Sequence, residues 1–147
     1  MKVAIGSDHG AFDLKQDMIP WLKEKGIEVI DKGCDSHDSC DYPIYAKAVA
    51  EAVADGSVDK GIVLCTTGIG ASIAANKVKG IRCALCHNEH TAQMTRLHND
   101  SNVLAMGAAE LTPTLAKRIA EIWLDTEFSG EEKHARRIRL ISEIEEG

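Results

Sequence analysis

Apolar residues along this chain fall into short runs that alternate with stretches of helical spacing. Lys2 to Gly6 (KVAIG) reads as a strand, and Ser7-Asp8-His9-Gly10 as the turn that leaves it. Phe12, Leu14, Met18, Ile19 and Leu22 then recur at helical steps, with Gly26 as a C-terminal stop. Pro20 lies inside that pattern and is expected to kink or interrupt the helix, because it lacks an N–H and crowds the preceding turn. Ile27 to Ile30 is a second strand, followed by a polar loop over residues 31–41. Asp41-Tyr42-Pro43 opens a helix with proline near its first position, Tyr45, Val49 and Val53 mark its buried side, and Asp55-Gly56 ends it.

Ile62, Val63 and Leu64 form the third strand, a run typical of burial on both faces, and its helix runs to about Lys79. Ile81 to Leu85 is the fourth strand, residues 88–97 a helix, His98-Asn99-Asp100 a polar turn, and Asn102 to Ala105 the fifth strand. Thr112 caps a helix with Pro113 at its first position and Leu115, Ile119, Ile122 and Trp123 on its core face. A charged helix from about Gly130 closes the chain. Short apolar strands alternating with helices predict an α/β fold: a single-domain, three-layer α/β/α sandwich, Rossmann-like, with about five parallel strands. Ligands in such folds sit beyond the carboxyl ends of the strands. Asp8, His9, Cys34, Cys65, Thr67, Cys86, His87 and Gly107 fall there, whereas His98 and Asn99 precede the fifth strand. The latter two belong to the opposite rim, or to a loop that folds over.

Gly61 to Ser72 (GIVLCTTGIGAS) concentrates the chemistry. A strand entering a helix through a glycine-containing turn aims unpaired N–H groups at one spot, with the positive helix end behind them. Cys65 stands at its edge, where a thiolate could be stabilised. The plain alternative is a tight turn beside a buried cysteine, and the spacing fits neither the dinucleotide fingerprint nor the Walker pattern.

Composition narrows the choice. The 147 residues suit one domain with a substantial core, and a formal charge of −6 argues against nucleic acid as the default partner. No run of about 18 apolar residues exists to span a membrane. MKVAIGSDHG enters a strand directly, without a secretory signal, and five cysteines then point to reduced thiols in the cytoplasm. Cys83-Ala84-Leu85-Cys86-His87 matches a haem-attachment pattern and, with His90, loosely a zinc spacing. It lies on a predicted buried strand where residues three apart face opposite sides, so no metal and no cofactor is expected. A cysteine phosphatase would need an arginine at the far end of the loop, where Ala71 and Ser72 stand. Lys133, His134 and Arg137 share roughly one face of the last helix, either as a solvated surface or as a clamp for phosphate.

Several segments together resemble the ribose-5-phosphate isomerase B family, which includes allose- and galactose-6-phosphate isomerases: GSDHG (6–10), DYP (41–43), GIGASIAANK (68–77), GIRCALC (80–86), HNDSNVLAMG (98–107) and KHARR near the end. The resemblance spans the chain as one isomerase domain, 1–147. It implies interconversion of ribose 5-phosphate and ribulose 5-phosphate through a cis-enediol, with a six-carbon sugar phosphate as the alternative substrate and a non-catalytic phosphosugar-binding module as the rival reading. By resemblance, Cys65 is the base at C2 and Thr67 a proton shuttle. The Gly68, Ile69, Gly70, Ala71 and Ser72 backbone, with Asn99, stabilises the enediolate. His98, with Asp8 and Tyr42 nearby, opens the furanose ring; His9, Lys133 and Arg137 hold the phosphate. The family also implies a homodimer or dimer of dimers whose terminal helix, about 130–147, brings Lys133 and Arg137 to the neighbouring active site. Two departures stand out. Thr66 replaces the glycine usual after the cysteine, a costly exchange if that position has positive φ. Lys133 replaces an arginine, which keeps the charge but loses the bidentate fork.

Overall fold

The computed structural model describes residues 1–147. Its elements are β1 (Lys2–Ser7), a 3-10 turn (His9–Ala11), α1 (Phe12–Glu24), β2 (Glu28–Asp31), α2 (Tyr42–Ala54), β3 (Lys60–Cys65), α3 (Ile69–Ala75), β4 (Cys83–Leu85), α4 (Glu89–Asn99), β5 (Val103–Gly107), α5 (Pro113–Asp125) and α6 (Glu132–Glu146). Five strands, all parallel, stand in the order β2-β1-β3-β5-β4.

Side chains alternate across this sheet, as the two-residue strand period requires. Val3, Ile5, Ile62, Leu64, Leu104 and Met106 face α1, α4 and α5. Ala4, Val63, Cys65, Val103 and Ala105 face α2 and α3. The second layer is rich in alanine, so its helices approach the sheet closely. This is the expected three-layer sandwich, and α6 is added outside it against α4. No helix is long and apolar enough to cross a membrane.

Three local expectations change. α1 is continuous through Pro20, which is exposed; the carbonyl one turn back belongs to exposed Gln16, where water can replace the missing donor. α4 extends through His98 and Asn99, so these are helical residues rather than a turn, and left-handed Asp100 (φ 45°, ψ 47°) ends the helix. β4 begins at Cys83, not Ile81, and α3 stops at Ala75. Between them Asn76 pairs its side-chain amide with the edge strand: Nδ2 donates to the Cys83 carbonyl at 2.9 Å and Oδ1 accepts the Cys83 N–H at 2.7 Å.

Beneath the α1 side, Lys15 is almost fully enclosed, with a side chain 1% exposed. Its ammonium donates to both carboxylate oxygens of Asp31, at 2.8 and 2.9 Å, and Asp31 also accepts the Gly33 N–H. That pair ties α1 to the start of the loop carrying Cys34 and Cys40.

Candidate active site

One group of candidate residues gathers at the carboxyl edge of the sheet. Cys65 ends β3 and is buried, and its sulfur accepts the Gly68 N–H at 3.2 Å. Gly68 takes φ 78°, and a Cβ there would come within 2.7 Å of the Met106 carbonyl carbon, so the turn needs glycine for conformation and space alike. Gly107 answers it from β5, packing against the Thr67 backbone so closely that any side chain would overlap it. Thr67 Oγ1 accepts the Ile69 N–H at 3.3 Å, and the Gly70 and Ala71 N–H groups have no backbone acceptor. Ser72 closes the turn, its N–H bonding Gly68 O and its hydroxyl Ile69 O.

Across this turn, the Tyr42 ring lies against Gly70. Asp8 is buried; its carboxylate accepts the Ala11 N–H at 3.2 Å and caps the 3-10 turn. Asp8, Tyr42, Cys65, Thr67, Gly70 and Thr66 line one open cavity of about 500 Å³ with Ile69 and Ile73. His9 is on the same turn as Asp8. Its Nδ1 accepts the Cys40 N–H at 3.2 Å, which leaves Nε2 as the protonated donor of the neutral ring. Thr66 has no positive φ, so the expected backbone cost does not arise; its hydroxyl occupies the space left open by the missing Cβ of Gly10.

A second group lies at the other end of the sheet. Cys65 pairs with Gly107 at the carboxyl edge, whereas Gly61 pairs with Val103 at the amino edge, four residues or roughly 13 Å away. α4 runs back to that amino edge before β5 begins, carrying His98 and Asn99 with it. Asn99 lines a different cavity, of about 490 Å³, beside Ile141, Ile144 and Glu145 of α6. Of the two placements open from the sequence, the structure takes the opposite rim: within a single chain, His98 and Asn99 do not lie near Asp8, Tyr42 and Cys65, because a helix antiparallel to the strands separates them by the depth of the sheet.

α6 supplies the rest of this second group. His134 is buried and stacks on His98, with ring centroids 4.3 Å apart and planes 19° apart. Burial of the His134 ring, and then the nearby His98, hold its pKa below the usual 6.5, against a smaller opposing pull from Glu131. Lys133 and Arg137 flank it on the exposed surface, and the Lys133 ammonium is 3.7 Å from Glu131.

Other features were not readable from spacing. Arg82 and Arg96 clamp the residues after His98, and Cys40 fixes the His9 tautomer through a loop without periodicity. The Cys83/Cys86/His87 pattern has an ordinary structural explanation. Burial pushes the Cys83 thiol up to about 12, and His87 Nε2 accepts the Gly107 N–H at 3.2 Å. No three histidine, cysteine or acidic side chains are grouped as a metal would require.

Fold and site define an α/β enzyme with a thiol at the carboxyl edge of a parallel sheet, seated over a helix-opening turn. Its family is the one described as Ribose/Galactose Isomerase, which matches residues 3–141, and the chain belongs to it. The chain is similar to a putative sugar phosphate isomerase of Bacillus subtilis (strain 168), at 55% identity over 99% of this chain and 98% of the relative. It is 48% identical to ribose-5-phosphate isomerase B of Escherichia coli (strain K12), over 99% of this chain and 97% of that one. The solved structure of ribose-5-phosphate isomerase B from Clostridium thermocellum superposes with a TM-score of 0.97 at 51% identity, covering 99% of this chain and 98% of that chain. This protein is accordingly an aldose–ketose isomerase.

Proposed function

We propose that the enzyme interconverts ribose 5-phosphate and ribulose 5-phosphate as a homodimer, each active site joining the Cys65 group of one subunit to the His98 group of the other. The separation of the two groups within one chain carries this reading: every role the reaction needs is present, but on opposite edges of the sheet. A two-fold axis brings unlike edges of two copies together and makes two equal sites. Exposed apolar residues lie beside both groups, Ile69 and Ile73 near Cys65, and Leu140, Ile141 and Ile144 on α6. The domain is thus 1–147, with α6 serving its partner.

The chemistry follows from the placement. His98 from one subunit, with Asp8 and Tyr42 from the other, opens the ring by proton transfer between the ring oxygen and the C1 hydroxyl. Cys65 then removes the C2 proton and returns it at C1, while Thr67 moves a proton between the two substrate oxygens. The free Gly70 and Ala71 amides, with Asn99, face the developing enediolate oxygen, whereas the Gly68, Ile69 and Ser72 N–H groups are bonded to Cys65 Sγ, Thr67 Oγ1 and the Gly68 carbonyl and shape the turn. Removing one donor of this kind typically costs about 2.7–4 kcal/mol. His9, through Nε2, and Lys133 and Arg137 of the partner helix hold the phosphate. We place the enzyme in the cytoplasm, where its five free thiols stay reduced.

Cys65→Ala tests the base: turnover should fall by about 10²–10⁴-fold or more while sugar-phosphate binding persists. An active variant overturns the assignment. Comparing kcat/KM on ribose 5-phosphate and allose 6-phosphate separates five- from six-carbon specificity.

A further inference from the structure

Arg82 stands just before β4, at the amino edge of the sheet, outside the set of groups assigned a chemical role. Its guanidinium reaches the end of α4, where Nε donates to the Asn99 carbonyl and Nη2 to the Asp100 carbonyl, each at 2.9 Å. Those are carbonyls that a helix end leaves without intrahelical donors, and a cation there also suits the negative end of the helix. The Arg82 backbone holds the other side of the same turn. Its N–H donates to Asn102 Oδ1 at 2.8 Å, and its carbonyl accepts the Asn102 N–H at 3.0 Å. One residue thus fastens both the helix that ends at Asn99 and the strand entry that follows.

The turn between them needs fastening. Asp100 is the one non-glycine residue of the chain with positive φ. Its carboxylate bonds Arg96 Nη1 at 2.7 Å and lies 3.7 Å from Arg82 Nη2. Arg96 has a side chain 7% exposed and also bonds the Ser101 and Thr126 carbonyls, so it belongs to the core. Arg82, 23% exposed, is anchored less deeply. Its removal would free the last turn of α4 without opening the interior.

We propose that Arg82 is a positioning residue for ring opening: by fixing the Asn99–Asp100 end of α4 it aims the His98 ring at the substrate. This rests on the ring-opening role given to His98 above. A small misdirection of a proton donor is expensive, because catalysis depends on near-attack geometry. Lysine would keep the charge at this site but not the rigid fork that spans two carbonyls.

The substrate pair supplies a test that a merely structural role would not satisfy. Ribose 5-phosphate is a furanose and must be opened. Ribulose 5-phosphate cannot close a five-membered ring, because the required O5 carries the phosphate. Deuterium uptake at C1 of ribulose 5-phosphate in D₂O therefore reports enolisation without ring opening. In Arg82→Met, kcat/KM for ribose 5-phosphate should fall by about tenfold or more beyond any fall in the initial exchange rate, which drops only as far as Asn99, the enediolate donor on the same turn, is displaced; Arg82→Lys should show the same split, less deeply. Equal losses in both assays, in either variant, overturn the proposal, as does full ribose turnover. If Arg82→Met does not fold, Arg82→Lys decides alone. His98→Asn is measured beside them. A split there without one in the Arg82 variants defeats the positioning role only, whereas no split in His98→Asn defeats the ring-opening assignment itself.

Discussion

The imidazole of His134 lies flat on that of His98, joining α6 to the end of α4 with ring centroids 4.3 Å apart. Burial of the His134 ring, and then the neighbouring His98, hold the His134 pKa below its usual value.

That depressed pKa makes a stability prediction with a definite sign. The unfolded chain takes up a proton at His134 near pH 6.5, whereas the folded chain does so only at lower pH. No penalty exists above the unfolded value; it grows as the pH falls from there towards the folded value. His134→Phe, which keeps a flat ring but cannot titrate, should lose less stability than the parent protein between neutral and mildly acidic pH. Urea denaturation across that range checks it, and parallel pH profiles would refute it.

Subunit complementation tests the shared site. Cys65→Ala and His98→Asn proteins should each be nearly inactive. After mixing, unfolding and refolding together, the mixed dimer pairs the intact Cys65 of one chain with the intact His98 of the other. Random assortment predicts recovery of roughly a quarter of parental activity, since half the dimers are mixed and each has one sound site. Absence of recovery would mean that both groups act within one chain.

Gly107→Ala probes the contact beneath the thiol turn. The added methyl would overlap the Thr67 carbonyl and come within 2.8 Å of its Cα, against backbone that cannot swing aside. Stability should drop by about 1–3 kcal/mol, as overpacking usually costs. Isomerase activity should fall more than the melting temperature alone explains, because the displaced residues carry the amides. Unchanged kinetics would show that the turn adapts.

The Lys15–Asp31 pair should respond unequally to its two truncations. Asp31→Ala leaves an ammonium whose side chain is 1% exposed with Gln16 Oε1, at 3.3 Å, as its remaining side-chain acceptor, while Lys15→Met leaves a carboxylate that is 40% exposed and still bonded by the Gly33 N–H. Breaking a buried pair from the enclosed side costs about 3–5 kcal/mol, so Asp31→Ala should be clearly the more damaging. Chemical denaturation of both variants decides the order.

Most of the fold could be read from hydrophobic spacing. Val3, Ile5, Ile62 and Leu64 on one face, against Ala4, Val63 and Cys65 on the other, are what a doubly covered parallel strand demands. The misread places were those where tertiary bonds override local composition. His98-Asn99-Asp100 looks like a turn, yet Arg82 and Arg96 supply the donors that let α4 continue through Asn99. Pro20 looks like a break, yet the helix carries on at the solvent face. The candidate site was legible as residue types but not as an arrangement. The position of HNDSNVLA before the fifth strand pointed to the opposite rim but not to the stacking of His98 on His134, and the Cys40–His9 contact crosses an aperiodic loop.

Asn76 gives the sheet a boundary. β4 is the outer strand beside β5, and an uncovered outer strand is an invitation to another chain's backbone. By offering its amide as a substitute peptide group to Cys83, Asn76 occupies both bonds that an incoming strand would need at that residue. Growth by strand addition is thereby blocked at the place where it would start. In the proposed dimer, a second copy would therefore not join by extending the sheet at Cys83 of β4.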